Sequence, residues 1–171
     1  MMKLRYAFIA VVVISNSLAR ADIEVGFSPD GGAEPLVLTT LNQARTSIDL
    51  AAYAFTSQKV ATILLNAQQQ GVNVRVLADE KSAADRYSAV TFLANQGVPV
   101  RLNGRYAIQH SKFALIDGET VQTGSLNYTN SAFTRNAENI VVIRGNSTVS
   151  QAYQQEFERL WAEGEPLNAN Y

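Results

Sequence analysis

His110-Ser111-Lys112-Phe113-Ala114-Leu115-Ile116-Asp117, followed a few residues on by Gly124-Ser125-Leu126-Asn127, is the stretch on which both fold and chemistry turn. Phe113 to Ile116 form the short apolar run that a buried strand uses, so the polar residues at its head sit on a rigid element. Side chains alternate along an extended segment, which puts His110 and Lys112 on one side, an imidazole beside a fixed cation. Lys112 can hold a phosphate while His110 attacks it or shuttles its proton. Asp117 has the opposite parity and is expected to organise the site rather than touch substrate.

His110 is the single histidine of the 171-residue chain. A lone histidine beside an apolar strand is more often a hydrogen-bonded structural residue than a catalyst; here the spacing of the polar residues argues otherwise. Ser125 and Asn127 share a face directly after Gly124 and offer short donors suited to phosphate oxygens. Asn136 and Glu138 form an Asn-x-Glu, and a carboxylate is what an imidazole needs to fix its tautomer and stabilise its cation.

The string H-x-K-x-x-x-x-D, then G-S-x-N, then N-x-E, running from His110 to Glu138, resembles the phospholipase D superfamily. A short chain with one copy of the motif resembles its bacterial endonuclease branch, the Nuc type. The resemblance implies phosphodiester hydrolysis through a phosphohistidine, with one imidazole attacking phosphorus and a second protonating the leaving oxygen. It implies no metal and no other cofactor. With one histidine per chain it further implies a homodimer whose two-fold axis brings two His110 side chains to one phosphate. Lys112, Ser125 and Asn127 would stabilise charge on the nonbridging oxygens, Glu138 would orient His110, and Asp117 would support the site. The substrate so implied is DNA, with RNA tolerated. One rival is a secreted phospholipase acting on lipid headgroup diesters, which needs an exposed apolar docking surface; the sequence suggests none. The other is a noncatalytic nucleic-acid-binding module, which would have no use for a nucleophile with its orienting carboxylate.

Outward from the motif, the segments 23–27, 47–54, 72–77, 98–102, 112–116, 120–123 and 140–143 are short and rich in β-branched residues, and read as strands. Between them 35–45, 57–70 and 83–96 carry apolar residues at helical spacing, with Gly71 and Gly97 just past two of the ends. The final stretch 147–162 places Val149, Tyr153, Phe157, Leu160 and Trp161 on one stripe, a C-terminal amphipathic helix facing the core. The alternation predicts an α/β fold with a central mixed, largely parallel sheet flanked by helices, a phospholipase D-like sandwich.

The first residues are basic, Tyr6 to Ile14 are almost all apolar, and Ala19-Arg20-Ala21 offers a small-x-small cleavage site, the pattern of a secretory signal. Residues 22–171 would then be one exported domain, periplasmic or secreted. Asn127-Tyr128-Thr129 is a glycosylation sequon on a proposed site residue, where a glycan would block function, which favours a bacterial source. Loss of Lys3, Arg5 and Arg20 with the leader takes the formal net charge from −1 to −4, mild enough for Arg101, Arg105, Lys112 and Arg135 to shape a local positive cleft. The chain has no cysteine, so neither a disulfide nor thiolate chemistry is available. Asp79, Glu80 and Asp85 suggest a metal site at first sight, but acids in a loop after a strand are commonly solvated, and His110 lies far away in sequence.

Overall fold

All seven apolar segments form strands of one sheet: β1 (Asp22–Ser28), β2 (Ser47–Ala52), β3 (Asn73–Asp79), β4 (Val100–Asn103), β5 (Phe113–Ile116), β6 (Thr120–Gly124) and β7 (Glu138–Arg144), joined by a two-residue β8 (Glu165–Pro166). The computed structural model describes residues 21–84 and 87–169. The expected leader, apart from Ala21, and Asp85 therefore lie outside the described residues. The strand order is β1-β7-β6-β5-β2-β3-β4-β8.

The sheet is mixed, as expected, but the largely parallel character is corrected. Among the described residues parallel pairing is confined to β2 with β3 and β3 with β4, the strands joined through the helices α2 (Gln58–Gln69), α3 (Glu80–Ala83) and α4 (Ala89–Asn95). A parallel pair needs such a crossover, whereas a short turn returns the chain antiparallel. For β5 and β6 the connection is three residues, Asp117 to Glu119, with Asp117-Gly118 at the centre of its β-turn. Both residues have positive φ, 54° and 70°, and Glu119 N–H donates to the Ile116 carbonyl at 3.2 Å, a hairpin turn that suits the right-handed twist of its strands.

Of the helix expected over 83–96, Ala89–Asn95 forms as α4, while Ala83 ends the separate short α3; a side chain caps each. Asp79 accepts from Ser82 N–H at the start of α3 and Ser88 from Val90 N–H at the start of α4. Gly71 and Gly97 do end helices, with φ of 91° and 82°. Val72 N–H bonds back to the Ala67 carbonyl and Val98 N–H to Leu93, both at 3.0 Å, which closes the last turns.

Strand alternation splits the interior into two cores. On one face Leu50, Ala52, Val76, Ala78, Ala114 and Ile116 meet α2, α4 and α1 (Ala33–Asn42), with the short α5 (Asn130–Thr134) at one end. On the other, Ala51, Leu77 and Phe113 meet Phe157 and Leu160 of α6 (Ser147–Glu163), the stripe read from the sequence. Arg75 pins α6 to the sheet: its guanidinium bonds both Asp49 oxygens at 2.7 and 2.8 Å, reaches Glu158 at 2.6 Å and lies 4.9 Å from the Phe157 ring centre. The hydrogen bond to Asp49 leads the effects that hold Arg75 protonated, and Arg75 in turn lowers the Glu158 carboxyl below its usual range.

The α6 layer packs on β4, β5 and β6. It leaves β1 uncovered on the same face, where Ile23, Val25 and Phe27 are 57, 54 and 57 % exposed. The sequence suggested no exposed apolar surface, because these residues read as an ordinary half-buried strand. Only the strand order reveals that β1 is an edge strand.

Candidate active site

His110, Ser111 and Lys112 are the last residues before β5, and Gly124 ends the neighbouring β6 with Ser125 directly after it. The pairing of Phe113 with Thr123 brings these ends together. A cleft of about 640 Å³ opens there, walled by His110 to Phe113, by Thr123 to Ser125 and by Ala152, Tyr153 and Glu156 of α6. His110 is exposed, and its ring stands edge-on to Tyr53 with centroids 4.6 Å apart. Lys112 is only 8 % exposed. Its ammonium donates to the His110 carbonyl at 2.6 Å and lies 5.1 Å from the Tyr53 ring centre.

Burial pulls the Lys112 pKa below the ordinary lysine range, and the Glu138 carboxylate opposes that pull. Glu138 opens β7 beside Ser125. It accepts from Ser125 Oγ at 2.6 Å and from Asn136 Nδ2 at 3.2 Å. Among the described residues it makes no hydrogen bond to His110, so the orienting contact expected from the sequence does not form within one chain. Ser125 Oγ also accepts from Asn139 N–H at 3.1 Å. Gly124 makes this junction possible, because a Cβ there would run into the Asn139 carbonyl oxygen. Asn127 lies two residues on, its Oδ1 buried and unpartnered among the described residues, an acceptor of the sort that functional sites retain.

Asp117 is not part of this cluster. It sits at the far end of β5, on the order of 16 Å along the strand from Lys112. Its carboxylate accepts from the N–H groups of Arg45, Thr46 and Ser47 at 2.7–3.1 Å and from the Thr46 hydroxyl at 2.9 Å. Burial pushes its pKa up, but those donors outweigh it and hold the carboxyl below its usual value. Asp117, expected to organise the site, instead ties a hairpin turn to the β2 entry. Asp-Gly between two apolar runs is a sequence signal for that turn.

The positive cleft is also narrower than expected. Arg101 donates to the Trp161 carbonyl at 2.8 Å and Arg105 lies 3.8 Å from Glu163, and of the four basic residues named only Lys112 lines the cleft. Asp79, read as a solvated acid, is 2 % exposed. Its oxygens accept from Ser82 N–H at 2.8 Å and Gln109 N–H at 2.7 Å. Sequence reasoning missed Asp79, Tyr53 and Gln109, since their partners lie 30 to 57 residues away and no local pattern announces them. Among the described residues no group of three or more acids, histidines or cysteines is placed to hold a metal ion.

A family model described as "Cardiolipin synthase, PLD-like domain" matches residues 37–161. The mitochondrial cardiolipin hydrolase of Xenopus laevis is 40 % identical over 135 residues, 79 % of this chain and 64 % of that protein, so the chain spans less than two thirds of that relative's length. A phospholipase D of Rickettsia prowazekii is 32 % identical over 144 residues, 84 % of this chain and 70 % of that one. The crystal structure of Nuc from Salmonella typhimurium, a phospholipase D family member, superposes with a TM-score of 0.85 at 36 % identity, covering 88 % of this chain and all of Nuc.

Proposed function

From membership of the phospholipase D superfamily, to which this chain belongs, we propose that it is an exported, nonspecific endonuclease that hydrolyses DNA phosphodiesters, with RNA tolerated, through a phosphohistidine. The observation that carries this is the convergence of His110, Lys112 and Ser125 on one open cleft in a chain that superposes on the whole of Nuc. His110 is the nucleophile. Its Nε2 or Nδ1 bonds phosphorus as the leaving alkoxide takes a proton from a second imidazole, which then activates the water that releases phosphate from histidine. Lys112, Ser125 and Asn127 stabilise the nonbridging oxygens, a role that asks no metal of the site.

The second imidazole comes from a second copy of the chain, because each holds one histidine. The exposed strip of β1 is the surface assigned to that copy. It lies on the cleft's face of the sheet, and Phe27 is register partner to Asn139, which bonds Ser125. Glu138 serves an imidazole only in the assembled pair, since it does not reach His110 within one chain.

A second reading, hydrolysis of lipid headgroup diesters, draws on the cardiolipin hydrolase and phospholipase D names of the relatives. Purified residues 22–171 are to be assayed on plasmid DNA, RNA, and phosphatidylcholine and cardiolipin vesicles, each in excess EDTA. Scattered cleavage of plasmid with intact vesicles is the expected result. Turnover of vesicles alone transfers the site to lipid, and activity lost to EDTA and restored by magnesium or zinc overturns the metal-free mechanism.

A further inference from the structure

We propose that Asp79, acting through Gln109, is the positioning residue for His110; the inference deepens the proposed active-site role and rests on it. The residues before the histidine, 104–108, are all exposed, and an exposed loop is where backbone freedom concentrates. At Gln109 that freedom stops, for Gln109 is 2 % exposed and its N–H donates to the buried Asp79 carboxylate at 2.7 Å. Its side chain ties down the neighbouring backbone: Oε1 accepts from Ser111 N–H at 2.6 Å, and Nε2 donates to the Ala52 carbonyl at 3.4 Å. With Lys112 on the His110 carbonyl, the backbone is anchored at 109, 110 and 111. The direction in which the imidazole leaves the chain is thereby set.

The short helix α3 holds the same segment at a further point. Lys81 Nζ donates to the Ala107 carbonyl at 2.9 Å, and Glu80 lies so close to Gly104 that a Cβ there would collide with its carboxylate. Asp79 and Lys81 thus strap the loop to the start of α3, and both Asp79 oxygens are occupied by backbone donors. In-line displacement requires the attacking nitrogen to be placed within a fraction of an ångström, and small misplacement costs rate far more than affinity.

The test uses Asp79→Asn, in which one oxygen becomes a donor facing a donor, and Gln109→Ala, which leaves the α3 cap intact. Expected for both is a fall of tenfold or more in kcat with KM within about twofold. The imidazole proton resonance of the single histidine should shift and broaden as well. Folded variants that keep wild-type kcat and an unchanged resonance overturn the proposal, and should Asp79→Asn fail to fold, Asp79→Ser, which keeps an acceptor for Ser82 N–H and loses the one for Gln109 N–H, takes its place. The resonance needs no substrate, so the two readings separate. If the wild type cleaves no phosphodiester while the variants still move the histidine signal, the proposed function fails and the strap stands.

Discussion

Lys112 is where a single side chain makes the chemistry pH-dependent. Burial lowers its pKa, and only the ammonium form can clamp a phosphate, so kcat/KM should fall on the alkaline side below the usual lysine range of about 10.4. Glu138 holds the charge in place, and Glu138→Gln should move that limb to lower pH, whereas Lys112→Arg should be slow and lack the lysine limb, a guanidinium staying charged throughout, so that only the fall set by the proton-donating imidazole remains. A pH profile of the three proteins checks this, and a limb that ignores Glu138 removes it from the site's electrostatics. Asp117 offers the complementary test in stability. Its folded pKa is depressed, so its contribution is complete above the unfolded value of about 3.9 and disappears as pH falls through the folded one. Asp117→Asn, which tolerates the positive φ, should cost about 1–2 kcal/mol at neutral pH, the low part of the range for charged hydrogen bonds because the carboxylate is partly open to water. Denaturant titrations should show the gap closing below pH 4 while kcat of the folded enzyme stays near wild type.

At the scale of elements, the junction of β6 and β7 carries the site, and one hydrogen atom at Gly124 permits it. Gly124→Ala should lower stability by about 1–3 kcal/mol, as overpacking does, and lower kcat further because Ser125 and Glu138 separate. A melting curve alongside single-turnover kinetics distinguishes the two losses. The motif His110, Lys112, Ser125 was legible in the sequence because its members lie near strand ends that pair with each other, so local spacing mirrors spatial neighbourhood. The strands and most helices were legible for the same reason, through alternation and the stops at Gly71 and Gly97. Asp117 misled because parity says which face a residue takes and nothing of how far along the strand it sits. Sheet order, and with it the small parallel share, was hidden because pairing depends on where helices cross over, which no single segment encodes.

For the whole molecule the question is how many chains make one site. If each dimer has one composite site, mixing wild type with His110→Ala under subunit exchange should give activity that falls as the square of the wild-type fraction; two independent sites would give a straight line. Val25→Glu, on the exposed strip, should shift sedimentation from dimer toward monomer and take activity with it, and a fully active monomer would end the dimer mechanism. The place of β1 also bears on handling. Among the described residues β7 is its strand partner, with one isolated bridge from Phe27 to Gly32, so an unaccompanied protomer shows water both an apolar face and, beyond that bridge, an open strand edge, the combination that recruits other chains into aggregates. Dilution below the dimerisation constant should therefore cost soluble protein by slow precipitation while the remaining fold keeps its melting temperature. Storage at high concentration would preserve the material better than storage at low.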